Sequence, residues 1–203
     1  DRDIGSDEVG RAFMDLYPEF HAQQKARYPD MKIITSADAF ATGSVFDRGW
    51  TRARKQHSDL VGEHYYCAPN WFLANQHRYD TYDAHGPKAF LGEYASWGNH
   101  WGNALAEASY MIGLERNADK VGLACYAPLL CNTDYRNWAP DLIWFNQHQV
   151  YGSVNYDVQK LFMNWQGQRN IAHTETNMPA ATPLPAAPTT AAVPWPGHGP
   201  HVP

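Results

Sequence analysis

Gly86-Pro87-Lys88-Ala89-Phe90-Leu91-Gly92-Glu93-Tyr94-Ala95 is the stretch on which the fold turns. After the Gly-Pro break, Ala89–Ala95 is a short apolar and aromatic run of strand length that carries one carboxylate near its end. Three similar runs flank it: Met31–Ala37 and Asp59–Tyr66 before it, Val121–Leu130 after it. Their starts are 28, 30 and 32 residues apart. Helical patterns fill the gaps. Pro18–Tyr28 begins on a proline and stops before Pro29, and Asn103–Asn117 carries Leu105, Ala108, Met111 and Ile112 at helical spacing, with Asn103 as its cap. Val154–Trp165 forms a last helix, with Val158, Leu161 and Phe162 facing inward. A spacing of about 30 residues with a helix between strands is the βαβ signature, which implies a parallel sheet.

The ends and the composition narrow the choice. Pro179–Pro203 holds eight Pro, six Ala and three Thr with no Asp, Glu, Lys or Arg, and reads as an extended tail, with a glycan-bearing linker as the alternative. Removing it leaves 178 residues, whereas a whole (βα)₈ barrel needs about 250, so four βα units make half a barrel or a small open sheet. Periodicity alone favours the open sheet. The net charge is −5 with no basic run, which excludes nucleic-acid and polybasic membrane binding, and no apolar span is long enough to cross a bilayer. Cys67, Cys125 and Cys131 contain no CxxC pair, so a disulfide scaffold and a zinc ribbon are excluded while one bridge stays possible.

Ligands of parallel α/β folds bind at the carboxyl ends of the strands. There the second strand reads Gly62-Glu63-His64-Tyr65-Tyr66, and the third Leu91-Gly92-Glu93-Tyr94. Period-two alternation puts His64 and Tyr66 on one face, Glu63 on the other, and Glu93 with Leu91 and Ala95. A carboxylate between apolar neighbours needs a partner, and the pattern alone leaves Glu93 open as a functional group or as a structural pin. The ten His show no HExxH or other ligand spacing, so no metal site is expected. GxSxG, Walker and GxGxxG motifs are absent too.

Tyr28-Pro29-Asp30-Met31, Glu63-His64-Tyr65-Tyr66, Trp71-Phe72, Phe90-Leu91-Gly92-Glu93-Tyr94, Gly113-Leu114-Glu115-Arg116-Asn117 and Tyr126-Ala127-Pro128 occur in order over roughly residues 1–166. In these stretches the sequence resembles the later half of the catalytic barrel of family 51 glycoside hydrolases, the retaining α-L-arabinofuranosidases. The resemblance implies a partial TIM-type (βα)₈ barrel, its four strands being the fifth to eighth, with residues 1–170 as the catalytic part; the composition of 171–203 makes that segment a disordered tail. It implies Glu93 as nucleophile, with His64 and Tyr66 beside it and the tyrosine holding the carboxylate ionised and oriented. Trp97 and Tyr126 become substrate-binding residues. No cofactor or metal is implied, and the expected partner is an arabinofuranosyl polysaccharide or oligosaccharide, met outside the cell.

One departure is large. The family's acid/base lies in a Gly-Asn-Glu motif that occurs nowhere in this chain, and its β-sandwich is replaced by the Pro/Ala tail. The expectation is a fragment, inactive alone, whose partners are the remaining half barrel and β-sandwich of its parent chain. A substitute acid at Glu63 is disfavoured because it shares no face with His64 and Tyr66. A noncatalytic sugar-binding product, or an unfunctional fragment that associates through its open edges, are the alternatives.

Overall fold

The computed structural model describes residues 7–174, 176 and 177; the expected tail over 179–203 lies outside them. One compact unit ends at Ala172 and a second begins at His173, and no described residue of the second is in a helix or strand.

Four strands, β1 (Ile34–Asp38), β2 (Leu60–Cys67), β3 (Lys88–Ser96) and β4 (Val121–Tyr126), form one sheet in chain order, every neighbouring pair parallel. Parallel neighbours need long crossovers, and helices supply them. These are α2 (Ser44–Lys55) after β1, the short α3 (Pro69–Ala74) with a 3-10 turn at Arg78–Thr81 after β2, and α4 (Trp101–Arg116) after β3. The protein is therefore an α/β fold on a parallel sheet. α1 (Asp7–Arg27) precedes it. After β4 a small second sheet, β5 (Leu130–Asn132), β6 (Ile143–Phe145) and β7 (Val150–Gly152), leads into α5 (Val154–Asn164).

Several boundaries differ from the sequence reading. The first strand starts at Ile34 rather than Met31, because the Met31 carbonyl takes the Lys25 ammonium at 2.7 Å and the Ile33 N–H donates to Asp59 at 2.9 Å. Val121–Leu130 is two strands in two sheets, since Pro128 has no N–H to give a ladder. The first helix runs from Asp7 with Pro18 in its interior, so Pro18 does not open it; its ring is exposed.

The core fills the helix side of the sheet. Val61, Tyr65, Ala89, Leu91 and Tyr94 from the strands meet Trp50, Phe72, Tyr110, Met111 and Leu114 from the helices. α4 buries Asn103, Ala106, Glu107, Tyr110, Met111 and Leu114; of the residues read at helical spacing Met111 is buried, whereas Leu105 and Ile112 are about half exposed. Polar Asn103 and Glu107 point inward because each has backbone or side-chain partners at the end of β3. In α5, Val158 and Phe162 pack on the core while Leu161 stays exposed.

Candidate active site at the carboxyl end of the sheet

The site begins with a break in alternation. β2 and β3 pair Glu63 with Leu91 and then His64 with Glu93, so Gly92 is an extra residue in β3. This bulge turns Glu93 away from the face of Leu91, contrary to strict period two, while Tyr94 returns to the core beside Leu91. Gly92 leaves room for the imidazole, because a Cβ there would lie 2.5 Å from His64 Nε2. The three polar groups thus converge. The Tyr66 hydroxyl donates to Glu93 Oε2 at 2.8 Å, and His64 Nδ1 lies 3.9 Å from Glu93 Oε1.

Their electrostatics follow from partial burial. The Glu93 side chain is 45% exposed, so it is reachable from solvent rather than enclosed by its apolar neighbours. Burial pushes the His64 pKa below its ordinary value, partly offset by the Glu93 charge, which keeps the imidazole neutral near pH 7. The Tyr66 phenol is raised by burial and then by its bond to Glu93, so it stays protonated as the donor. A half-exposed carboxylate, one oxygen held by a phenol and the other near an imidazole, can attack an electrophilic carbon or hold a cation.

Aromatic rings stand around this group. The Trp97 centroid lies 5.9 Å from Tyr66, and Trp138, from the segment between β5 and β6, lies 5.3 Å from Tyr66 and 5.1 Å from Trp97. Sequence reading missed Trp138: it sits in an irregular segment where no periodicity points inward. Tyr126 is placed differently from Trp97. It is buried against Ala95 and Leu142, and its hydroxyl accepts from Asn99 at 3.2 Å.

Glu63 belongs to another cluster. It is fully buried on the helix side, where Trp50 Nε1 (2.9 Å), the Tyr79 hydroxyl (2.7 Å) and the Tyr82 hydroxyl (2.9 Å) donate to it and Arg78 Nε stands at 3.4 Å. Arg78 is itself stacked among Phe46, Tyr65, Trp71 and Tyr79. A carboxylate so fully engaged pins α2 and the 3-10 turn to β2. The three cysteines are free thiols, and no metal-binding group of three His, Cys, Asp or Glu occurs among the described residues.

Comparison with known proteins identifies the setting. The profile of the α-L-arabinofuranosidase C-terminal domain matches residues 92–189. An extracellular exo-α-L-arabinofuranosidase of Streptomyces chartreusis is 49% identical over 178 residues, 87% of this chain and 22% of that protein. α-L-Arabinofuranosidase 1 of Arabidopsis thaliana is 35% identical over 177 residues, 84% of this chain and 25% of that protein. The chain thus spans about a quarter of the length of these relatives. An arabinose-bound MgGH51 α-L-arabinofuranosidase superposes with a TM-score of 0.62 at 28% identity, covering 77% of this chain and 27% of that one. The Thermotoga maritima enzyme, at 16% identity and a TM-score of 0.56 over 77% of this chain and 36% of that one, shares the fold. The chain is similar to the family 51 α-L-arabinofuranosidases over most of its length, with the end of β3 inside the stretch that matches their C-terminal domain.

Proposed function

We propose that residues 1–170 supply the nucleophile half of a retaining α-L-arabinofuranosidase site, their four parallel strands being the fifth to eighth of a (βα)₈ barrel. The observation that carries this reading is the 2.8 Å bond from the Tyr66 hydroxyl to Glu93 at the carboxyl end of the sheet. Glu93 attacks the anomeric carbon of a terminal arabinofuranosyl residue of arabinan or arabinoxylan, the leaving oxygen takes a proton from an acid, and a covalent arabinosyl-Glu93 ester forms. Water, deprotonated by the conjugate base of that acid, then attacks the same carbon and releases Glu93. Tyr66 holds the carboxylate aimed through its 2.8 Å bond. His64 is a positioning neighbour, and Trp97 and Tyr126 belong to the sugar-binding surround, Tyr126 from beneath.

No Gly-Asn-Glu occurs in residues 1–203, so the proton donor comes from elsewhere in a longer protein. Acid–base assistance contributes roughly 10²–10⁴-fold, which leaves this chain able to react only with activated substrates. The name of the Streptomyces relative supports action outside the cell. The test is mass spectrometry of the chain after exposure to an activated aryl arabinofuranoside, with azide as the external nucleophile for turnover. An arabinosyl adduct on Glu93, absent in Glu93→Gln, is expected; an adduct on another residue refutes the assignment. The exposed Trp97 favours a second reading, a noncatalytic sugar-binding surface, for which the outcome is binding of arabino-oligosaccharides with no adduct.

A further inference from the structure

Tyr66 reaches Glu93 through a phenol at the tip of a long side chain, so the bond depends on what holds the ring. Two indoles do, Trp97 at 5.9 Å and Trp138 at 5.3 Å, and they touch each other at 5.1 Å. They come from different segments, one just after β3 and one between β5 and β6, and neither lies in a strand. What ties these segments together is Asn99. Its Oδ1 accepts the Asp141 N–H at 2.9 Å, three residues beyond Trp138, and its Nδ2 donates to Asn155 Oδ1 at 3.0 Å and to the Tyr126 hydroxyl at 3.2 Å. The tie is anchored from below. Asn155 donates to buried Glu107 at 2.7 Å, and the other Glu107 oxygen accepts the Ser96 N–H at 2.7 Å, which closes a ring of bonds around the segment that carries Trp97.

We propose that Asn99 is a positioning residue of the Glu93 site: its carboxamide fixes the separation of the Trp97 and Trp138 segments, and through the two indoles the Tyr66 ring and its bond to Glu93. The consequence for reactivity rests on Glu93 being the nucleophile; the geometry of the tie does not. Of the three bonds, only the one to Asp141 joins the two Trp-bearing segments, so the role belongs to Oδ1. Tyr126→Phe therefore serves as a control that removes a partner of Nδ2 and leaves the tie.

Two indoles at contact distance give an exciton couplet in circular dichroism, which Trp97→Phe and Trp138→Phe must each remove. Asn99→Ala is expected to lose the couplet while keeping its helical signal, and Tyr126→Phe to keep it. In carbon-labelled tyrosine NMR the Tyr66 resonance, assigned by its loss in Tyr66→Phe, should move in Asn99→Ala toward the position it takes in Glu93→Ala. An intact couplet in Asn99→Ala, or a lost couplet with an unmoved Tyr66 resonance, overturns the proposal. Should Asn99→Ala not fold, hydrogen exchange of the unaltered chain decides: a slowly exchanging Asp141 amide supports the tie, and one exchanging at the rate of an open loop refutes it. These readouts need no turnover, so a Glu93 that forms no adduct would sink the functional reading and leave the Asn99 result standing.

Discussion

Glycine 92 and glutamate 63 show how single residues separate the half-exposed face that carries Glu93 from the buried structural one. Adding a methyl group at residue 92 puts a carbon 2.5 Å from His64 Nε2 and 2.9 Å from its Cδ2, so the imidazole must leave its place beside Glu93. Gly92→Ala is expected to cost about 1–3 kcal/mol, as overpacking does, read from the urea midpoint, together with a displaced His64 ring resonance. Glu63→Gln acts on the other face. It leaves the Arg78 guanidinium buried without a counter-charge and turns an amide NH₂ toward phenols that were donating. Breaking such a pair costs about 3–5 kcal/mol. Urea unfolding at pH 7 should show it, and a change below about 1 kcal/mol, the scale of an ordinary substitution, would mean that Arg78 finds another partner.

At the scale of elements, α4 carries a buried acid whose titration can be followed. Burial raises the Glu107 pKa to about 7, against bonds from Asn155 and the Ser96 N–H that lower it, while the unfolded chain keeps 4.5. Between those values the native state binds more protons than the unfolded one, so this group's contribution falls as pH rises through 4.5 to 7 and is flat above. His64 works in the opposite sense, its lowered pKa removing stability as pH drops below 6.5. The measurement is therefore the difference between the protein and Glu107→Gln at each pH. That difference should change by on the order of 3 kcal/mol from pH 4.5 to 7.5. A pH-independent difference would show that Glu107 titrates normally in the fold.

The same helix marks what the sequence could disclose. Strand spacing near 30 residues made the parallel sheet readable, and Glu93, His64 and Tyr66 were readable as neighbours from their strand ends and family resemblance. The buried face of α4 is not legible from hydrophobicity alone. Leu105 and Ile112 are apolar and half exposed, whereas Asn103 and Glu107 are polar and buried, Asn103 on the Ser96–Trp97 segment just before the helix and Glu107 also on Asn155, 48 residues away. Asn99, Trp138 and Asp141 were invisible for a related reason. They sit in irregular segments, and their meaning lies in contacts across about forty residues of chain, such as Asn99 with Asp141.

For the whole molecule, the sheet has two edge strands among the described residues, β1 and β4, each with one side unpaired. Ile34 on β1 and Leu123 on β4 are about half exposed. Open parallel edges with apolar side chains are templates for further pairing. Residues 1–203 alone are expected to associate in a concentration-dependent manner, seen as a rising mass by light scattering across a dilution series. A mass that stays at the 23.0 kDa of one chain throughout would show that the edges are protected.

The order β1-β2-β3-β4, identical in space and in sequence, also bears on how the protein comes off the ribosome. No strand waits for a partner encoded later than its immediate successor: Ile34 pairs with Leu60, Leu60 with Lys88, and Ala89 with Val121. At translation speeds of roughly 5–20 residues per second, each interval of about thirty residues amounts to a few seconds, long beside helix formation and short beside the lifetime of a nascent chain. The sheet can be laid down one strand at a time, with each crossover helix complete before the strand that follows it, and the aromatic surround of Glu93 closes only when Trp138 and Asp141 have been added.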